Sequence, residues 1–332
     1  MSAKAIALDT KALDAKALDA KALDAKALTL DTKVLEAIDT KPLKIVVFDL
    51  DETLGCFTEI GLFWSALEYH YGHNLFKERF FEVLDTFQEF LRPNIFKILA
   101  FVKEQKERKL CDHVMIYTNN QGPKSWVKMI SEYFNDKLDY ILFDKIIAAF
   151  KVHNKIIEMC RTSHDKSVDD LIRCTKIPSN AEICFIDDQF HPLMEKDNVY
   201  YVHVKSYIFT MPFAEMASRY FDKYIKTEPN CNKPNCNKDV FVNDIVTYMK
   251  KYNFIVREKT VVEQNADKVV SKQLLIHLEH FFKHGRTKNT RKHKSRIKSK
   301  MKTMKRTFAK SAAKGPLSHP IAPYRTFSKH FF

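Results

Sequence analysis

The sequence predicts an α/β protein built around a central, mainly parallel β-sheet between layers of helices, a three-layer sandwich. Short apolar, β-branched runs alternate along the chain with segments of helical periodicity, which is typical of that class. The chain has 332 residues, of which 45% are apolar and 29% charged, so it can bury a sizeable core. In such sheets the functional groups lie beyond the carboxyl ends of the strands.

The predicted strands are short runs rich in β-branched and aromatic residues. They are Lys44–Phe48, His113–Tyr117, Ile183–Ile186 and Val199–Val204. The predicted helices have apolar residues at helical spacing. They are Phe76–Phe90, Ile95–Lys109, Lys124–Phe134, Lys166–Cys174, Pro212–Ile225, Asp239–Tyr252 and Val269–His284.

Composition divides the chain into five parts. Residues 1–42 form a low-complexity extension whose leucines recur every five positions, about 140° apart on a helix, so they make no apolar stripe. Residues 43–225 are the predicted α/β domain, and 226–238 are a linker with a tandem Pro-Asn-Cys-Asn-Lys repeat. Residues 239–284 are a small helical region, and 285–332 are a basic tail that we predict to be disordered.

The net charge of +14 comes from this tail. Sixteen Lys and Arg residues follow the last acidic residue, Glu279, and the rest of the chain carries a charge of −2. Basic runs such as Arg291–Arg296 are typical of nuclear-localisation or nucleic-acid-binding segments. The alternative is a tail that only increases solubility.

The chain has no stretch of roughly 18–20 apolar residues and no apolar region typical of a secretory signal. We therefore expect no membrane span, and we expect the protein in the cytoplasm or nucleus. Seven scattered cysteines fit free thiols in a reducing compartment. Cys231 and Cys236 lack the further ligands that structural zinc requires. The histidines at 277, 280 and 284 are interpreted as surface or core residues.

Acidic residues follow the first predicted strand directly, as Asp49 and Asp51. Taken alone, they could be turn residues, since Asp favours turns. Thr118 ends the second strand and is followed by Asn119-Asn120-Gln121-Gly122 and a helix. A hydroxyl and backbone amides there could bind phosphate, or Thr118 could be an ordinary helix cap.

Lys166 is predicted at the start of a helix, where a cation is unfavourable unless it faces an anion. Asp187 and Asp188 follow a further strand and form a second acidic pair. Two such pairs at one edge of a sheet repel each other unless a cation joins them, and carboxylate oxygens suit Mg²⁺.

This ordered set of motifs resembles the haloacid dehalogenase superfamily of phosphohydrolases, over roughly residues 43 to 210. The motifs are Asp49-Leu-Asp51-Glu-Thr53, Thr118, Lys166 and Asp187-Asp188. Asp-Leu-Asp-Glu-Thr-Leu and Leu91-Arg92-Pro93 are similar to the NLI-interacting-factor-like branch, which dephosphorylates the RNA polymerase II C-terminal domain. The resemblance implies a Rossmann-like fold and a Mg²⁺-dependent phosphatase.

The resemblance also implies a role for each matching residue. Asp49 is the expected nucleophile and Asp51 the general acid and base. Thr118 and Lys166 are expected to hold the phosphoryl oxygens. Mg²⁺ is expected to bind Asp49, the backbone carbonyl of Asp51 and Asp188. Asp187 is expected to orient these groups without contacting the metal itself.

The substrate stays open at this point. The branch implies a phosphoprotein with phosphorylated Ser or Thr, but its β-hairpin insert is replaced here by the helix-like segment 55–90, which contains Phe63 and Trp64. These aromatic residues could contact bases or a peptide, although core packing is the commoner role. The alternatives are a nucleic-acid 3′-phosphatase, which the basic tail favours, and a non-catalytic scaffold that binds nucleic acid through its tail.

Overall fold

The computed structural model describes residues 41–72, 75, 77–226, 237–252 and 255–285. The chain divides into two units, Met1–Pro42 and Leu43–Phe332, and every described helix and strand belongs to the second. Three predicted segments lie mostly or wholly outside the described residues. They are the N-terminal extension, the linker with its tandem repeat, and the basic tail beyond Gly285.

Five parallel strands form the central sheet in the order β3-β2-β1-β6-β7. They are β1 (Lys44–Phe48), β2 (His113–Tyr117), β3 (Lys145–Ile147), β6 (Glu182–Asp187) and β7 (Val199–His203). The four predicted strands are confirmed to within a residue at each end. β3 has only three residues, too few to show a period, and the sequence did not predict it. A separate antiparallel hairpin pairs β4 (Lys151–Val152) with β5 (Lys155–Ile156).

The central strand β1 is buried on both faces, which explains its uninterrupted apolar run. Val46 and Phe48 belong to the larger hydrophobic cluster, while Ile45 and Val47 belong to the smaller one. Because successive side chains of a strand point to opposite faces, the sheet separates these two cores. The α/β layout with a central parallel sheet is therefore confirmed.

Eight α-helices accompany the sheet in the described residues. They are α1 (Thr58–Tyr71), α2 (Lys77–Thr86), α3 (Ile95–Glu107), α4 (Lys124–Leu138), α5 (Val168–Thr175), α6 (Phe213–Tyr220), α7 (Lys238–Lys250) and α8 (Val261–His284). A 3₁₀ turn at Gln88–Phe90 and a π-helical turn at Phe221–Ile225 extend α2 and α6. The helix predicted from Lys166 begins instead at Val168, because the Ser167 side chain caps it.

The segment between β1 and α3 packs into the larger core. Phe63 and Trp64 of α1 are buried there, and the Phe63 ring meets Phe87 and Tyr220 edge to face. These aromatic side chains are core residues and face neither a base nor a peptide. The outer end of α1 does expose Tyr69.

The region 239–284, predicted as a small helical region, contributes to the same core. Phe241 of α7 and Leu278 of α8 are fully buried in the larger cluster. Lys44, at the start of β1, donates hydrogen bonds from Nζ to the carbonyls of Phe281 and Phe282. The C-terminal helices therefore belong to the unit that carries the site.

One expectation about the cysteines is wrong. Cys160 and Cys174 form a disulfide, because the loop before Lys166 folds back onto the last turn of α5. Cys56, Cys111 and Cys184 are free and buried, and Cys231 and Cys236 lie outside the described residues. No described helix combines the length and the apolar character that a membrane span requires.

Candidate active site

The predicted site residues meet at the carboxyl edge of the sheet. Asp49 follows β1 and donates its backbone N–H to the carbonyl of Ile186 on β6. Asp187 ends β6, and Thr118 follows β2 with its N–H bonded to Ile147 of β3. The sheet register thus sets three of the predicted residues side by side.

Lys166 lies between two of these carboxylates. Its ammonium donates to Asp49 Oδ1 over 2.5 Å and to Asp187 Oδ2 over 2.7 Å, and its side chain is only 2% exposed. Burial alone would lower the pKa of Lys166, but the two carboxylates outweigh it and raise that pKa. Lys166 is therefore a fixed positive charge that faces two carboxylates, although it precedes α5 and its Ser167 cap instead of starting the helix as predicted.

The two carboxylates that share Lys166 differ in the direction in which their pKa values are shifted. Burial raises the pKa of Asp49 well above its usual range, against the pull of Lys166 and with a further contribution from Asp187. Burial also acts on Asp187, but Lys166 and His191 outweigh it and lower its pKa. Asp187 is thus the firmly ionised partner of Lys166, while burial disfavours the anionic form of Asp49.

Asp188 is oriented by three side chains. Its Oδ2 accepts hydrogen bonds from Ser206 Oγ and Gln189 Nε2, both over 2.7 Å, and its Oδ1 accepts one from Thr53 Oγ1 over 3.3 Å. The Gln189 backbone N–H binds Asp187 Oδ1 over 2.8 Å. These bonds hold neighbouring carboxylates in the same small space.

The carboxylates form a donor set that fits a divalent cation. One oxygen each of Asp49, Asp187 and Asp188 lie within 4.8 Å of one another, and all three side chains are buried. The single ammonium of Lys166 leaves excess negative charge among them, and hard oxygen donors of this kind suit Mg²⁺. The structure thus places Asp49 and Asp188, two of the groups predicted to hold the metal, beside Asp187, which was predicted to support them, with Asp51 two residues after Asp49 on the same loop.

Asp51 is held by a residue to which the sequence analysis gave no role. Asn120 Nδ2 donates to Asp51 Oδ2 over 2.8 Å. Burial raises the pKa of Asp51 to about 6, and the Asn120 bond only partly opposes it. A carboxyl group with that pKa can both give and take a proton near neutral pH.

The loop between β2 and α4 differs from the expected phosphate site in one respect. Thr118 Oγ1 accepts the backbone N–H of Asn120 over 2.9 Å, so Thr118 organises a turn. Helix α4 begins only at Lys124, with Pro123 before it. Thr118 is thus a buried hydroxyl beside the carboxylates, and the amide groups of α4 start further along the chain.

Sequence reasoning also gave no function to two buried arginines. Arg92 donates Nε to the carbonyl of Thr53 over 2.5 Å and Nη2 to that of Glu52 over 2.6 Å. Arg161 donates Nη1 to the carbonyl of Thr118 over 3.1 Å. The Leu-Arg-Pro motif was the available signal for Arg92, while nothing in the sequence marks Arg161.

Comparison of the chain with protein-family models, with curated proteins and with solved structures found no match.

Proposed function

We propose that this protein is a Mg²⁺-dependent phosphatase that hydrolyses phosphomonoesters through an aspartyl-phosphate, in the manner of the haloacid dehalogenase superfamily. The observation that carries the proposal is the buried cluster in which Lys166 bridges Asp49 and Asp187 while Asp188 lies beside them. A purely structural acidic cluster has no need of an amide-bonded carboxyl with a raised pKa, such as Asp51, next to it.

Asp49 is the proposed nucleophile. Lys166 binds its Oδ1, and within the described residues no hydrogen bond reaches Oδ2, which is the oxygen proposed to attack phosphorus. Burial disfavours the Asp49 anion, and Lys166 together with the proposed Mg²⁺ would stabilise that anion for attack on phosphorus and would offset the charge that the phosphoryl group brings. Lys166 and Thr118 then stabilise the charge on the phosphoryl oxygens.

Asp51 is the proposed proton donor to the leaving oxygen, and then the base that activates water. Its pKa of about 6 keeps part of the population protonated near neutral pH. Asn120 fixes the carboxyl group without neutralising it, since an amide carries no charge. Asp49, Asp188 and the backbone carbonyl of Asp51 would hold Mg²⁺, which neutralises the repulsion between nucleophile and phosphate.

The proposed substrate class is a phosphoprotein. The support is the resemblance of the motifs around Asp49 and Arg92 to the phosphoprotein branch of the superfamily. The case for a nucleic-acid 3′-phosphatase rests on the basic tail, which lies outside the described residues.

The test is hydrolysis of an aryl phosphate by the full-length protein, with Mg²⁺ and with EDTA. We expect Asp49→Asn and EDTA each to reduce turnover by at least 10³-fold, since both the nucleophile and the neutralising charge are required. Asp136→Asn is the matched control, because Asp136 is exposed on α4 away from the site. If Asp49→Asn retains wild-type turnover, or if no fluoride complex that mimics phosphate binds the wild-type protein, the proposal is wrong.

A further inference from the structure

Two loops that flank the candidate site expose large apolar side chains. The loop after β6 exposes Phe190 and Leu193, at 53% and 49%, and the segment between β3 and Lys166 exposes Ile156, Ile157 and Met159. We call these five side chains the apolar rim. Scattered exposed apolar residues are common on proteins, but these all lie on loops that hold site residues.

The first half of the rim is fixed to two carboxylates of the candidate site, Asp187 and Asp188. Phe190 follows Gln189, whose side chain and backbone bind Asp188 and Asp187. The Phe190 ring stacks on Tyr201 with an interplanar angle of 6°, and the Tyr201 hydroxyl donates to the Gln189 carbonyl over 2.7 Å. Phe190 is thus a rigid exposed surface one residue beyond the site.

The second half of the rim is fixed to Thr118. Arg161 binds the carbonyls of Thr118 and Ala148 from one nitrogen, over 3.1 Å and 2.9 Å. The hairpin of β4 and β5 lies between Ala148 and Arg161 in the chain, and the Ile157 N–H donates to the Phe150 carbonyl at its base. Ile156, Ile157 and Met159 therefore lie on the Thr118 side of the site, while Phe190 lies on the Asp188 side.

The charges of the site loops disfavour nucleic acid as the ligand of this rim. The loops 49–56, 118–123, 148–167 and 187–194 together carry seven carboxylates and four Lys or Arg residues. Two of those four, Arg161 and Lys166, are buried. Nucleic acid binding requires several cations along consecutive phosphates. The two remaining lysines, Lys151 and Lys155 on the hairpin, can attract one anionic group of a peptide but not a row of phosphates.

The root of the basic tail gives a second argument against nucleic acid at the site. Gly285, the last described residue before the tail, lies close to the Glu182 carboxylate. Glu182 begins β6, whereas Asp187 at the other end of that strand belongs to the site. The tail therefore starts at the edge of the sheet opposite the site.

We propose that the apolar rim binds bulky apolar side chains on both sides of a phosphorylated residue, and that the substrates are phosphorylated peptide segments of this type. An extended peptide advances about 3.3 Å per residue, so neighbours of the phosphorylated residue reach loops on either side of the carboxylates. The inference deepens the proposed function and depends on it.

The experiment compares two synthetic phosphoserine peptides in hydrolysis by the full-length protein with Mg²⁺. They have the same length and charge and differ only in carrying Leu and Phe, or Gln and Ser, on either side of the phosphoserine. We expect kcat/KM to be at least tenfold higher for the apolar peptide, mainly through KM, because its flanking side chains leave water at the rim. A 3′-phosphorylated oligonucleotide is the third substrate.

Variants then locate the preference. We expect Phe190→Ala and Ile156→Ala each to reduce the ratio between the two peptides at least threefold. The matched controls are Tyr69→Ala and Ile276→Ala, which remove similarly exposed side chains from α1 and α8 and leave the ratio unchanged. Equal turnover of the two peptides, a ratio unaffected by Phe190→Ala, or preference for the oligonucleotide would overturn the inference.

Binding separates a failure of this inference from a failure of the phosphatase proposal. The affinity of both peptides for the Asp49→Asn variant is measured by fluorescence anisotropy, which needs no turnover. Aryl phosphate hydrolysis that depends on Asp49, together with equal affinity for the two peptides, refutes the rim alone. If the apolar peptide binds more tightly and no phosphate ester is hydrolysed, the rim is supported as a peptide-binding surface and the catalytic proposal fails.

Discussion

Replacing Arg92 by methionine removes the cation that holds the loop after β1. The buried guanidinium binds the carbonyls of Thr53, Glu52 and Lys205 over 2.5, 2.6 and 2.9 Å. Glu52 has a left-handed backbone, with φ of 59°, and lies directly between Asp51 and Thr53. Arg92 therefore stabilises a strained turn that positions the proposed general acid.

The cost of the substitution follows from these three bonds. A hydrogen bond to a charged group contributes roughly 1.5–3 kcal/mol. Water can replace the guanidinium at the part-buried carbonyls of Glu52 and Lys205, but it cannot reach the buried carbonyl of Thr53. We therefore expect Arg92→Met to lower the free energy of unfolding by about 3–5 kcal/mol. We also expect kcat to fall at least tenfold, since Asp51 loses its position.

Urea unfolding and aryl phosphate hydrolysis measure the two effects on the same samples. Arg108→Met is the control: its ion pair with Glu104 is exposed, so stability should change by less than about 0.5 kcal/mol. Arg92→Lys keeps the charge but not the fork of donors, and should fall between the wild type and Arg92→Met. An Arg92→Met variant within 1 kcal/mol of the wild type (roughly one weak hydrogen bond) would show that the loop holds itself and would refute the reasoning.

Three further predictions concern other parts of the fold. Burial raises the pKa of Glu59 to about 8, above its unfolded value, so the stability that neutral Glu59 contributes is complete below about pH 4.5 and is lost as the pH rises towards 8. In urea unfolding at pH 5 and 8.5, the free energy of unfolding of Glu59→Gln should fall by roughly 3–5 kcal/mol less than that of the wild type. An equal fall in both proteins would contradict this prediction. A Cβ on Gly55 would lie 2.8 Å from the Phe57 ring and 2.9 Å from the Phe90 carbonyl, so Gly55→Ala should lower the free energy of unfolding by about 1–3 kcal/mol and reduce kcat. A Cβ on Gly61 would have its nearest contact at 3.4 Å, so Gly61→Ala should leave both quantities unchanged. Equal behaviour of the two variants would refute the steric argument. Reduction of the Cys160–Cys174 disulfide should lower the free energy of unfolding by about 2–3 kcal/mol, and a Cys160→Ser/Cys174→Ser variant should show no response to the reductant.

Patterns with strong local signals predicted much of the fold. The apolar run of β1 predicted a strand buried on both faces, and the carboxylates after β1 and β6 predicted where the site lies. β3 escaped because three residues show no period. The helix predicted from Val269 begins at Val261, where Thr260 and Glu263 form a capping box, a signal that apolar periodicity does not contain.

The rest of the site could not be predicted because it depends on contacts between distant parts of the chain. Asn120 binds Asp51 and Ser206 binds Asp188 only because the sheet order brings their loops together. Neither residue type is unusual in a loop, so no local pattern marks them. Phe63 and Trp64 show the reverse case, where a conspicuous aromatic sequence proves to be ordinary core.

The position of β1 in the sheet has a consequence for how the protein is made. Among the described strands, β1 is synthesised first, yet it pairs with β2 and β6, which both come later in the chain. The hydrogen bond between Thr53 and Asp188 joins residues that are 135 positions apart. At about 5–20 residues per second, the ribosome needs roughly 7–27 s to synthesise the chain between them. During that time the apolar run Lys44–Phe48 has no β6 to cover its open edge. Until β6 has been synthesised, the nascent chain therefore exposes an apolar strand edge that β6 later pairs with, and the carboxylates of the site are not yet assembled.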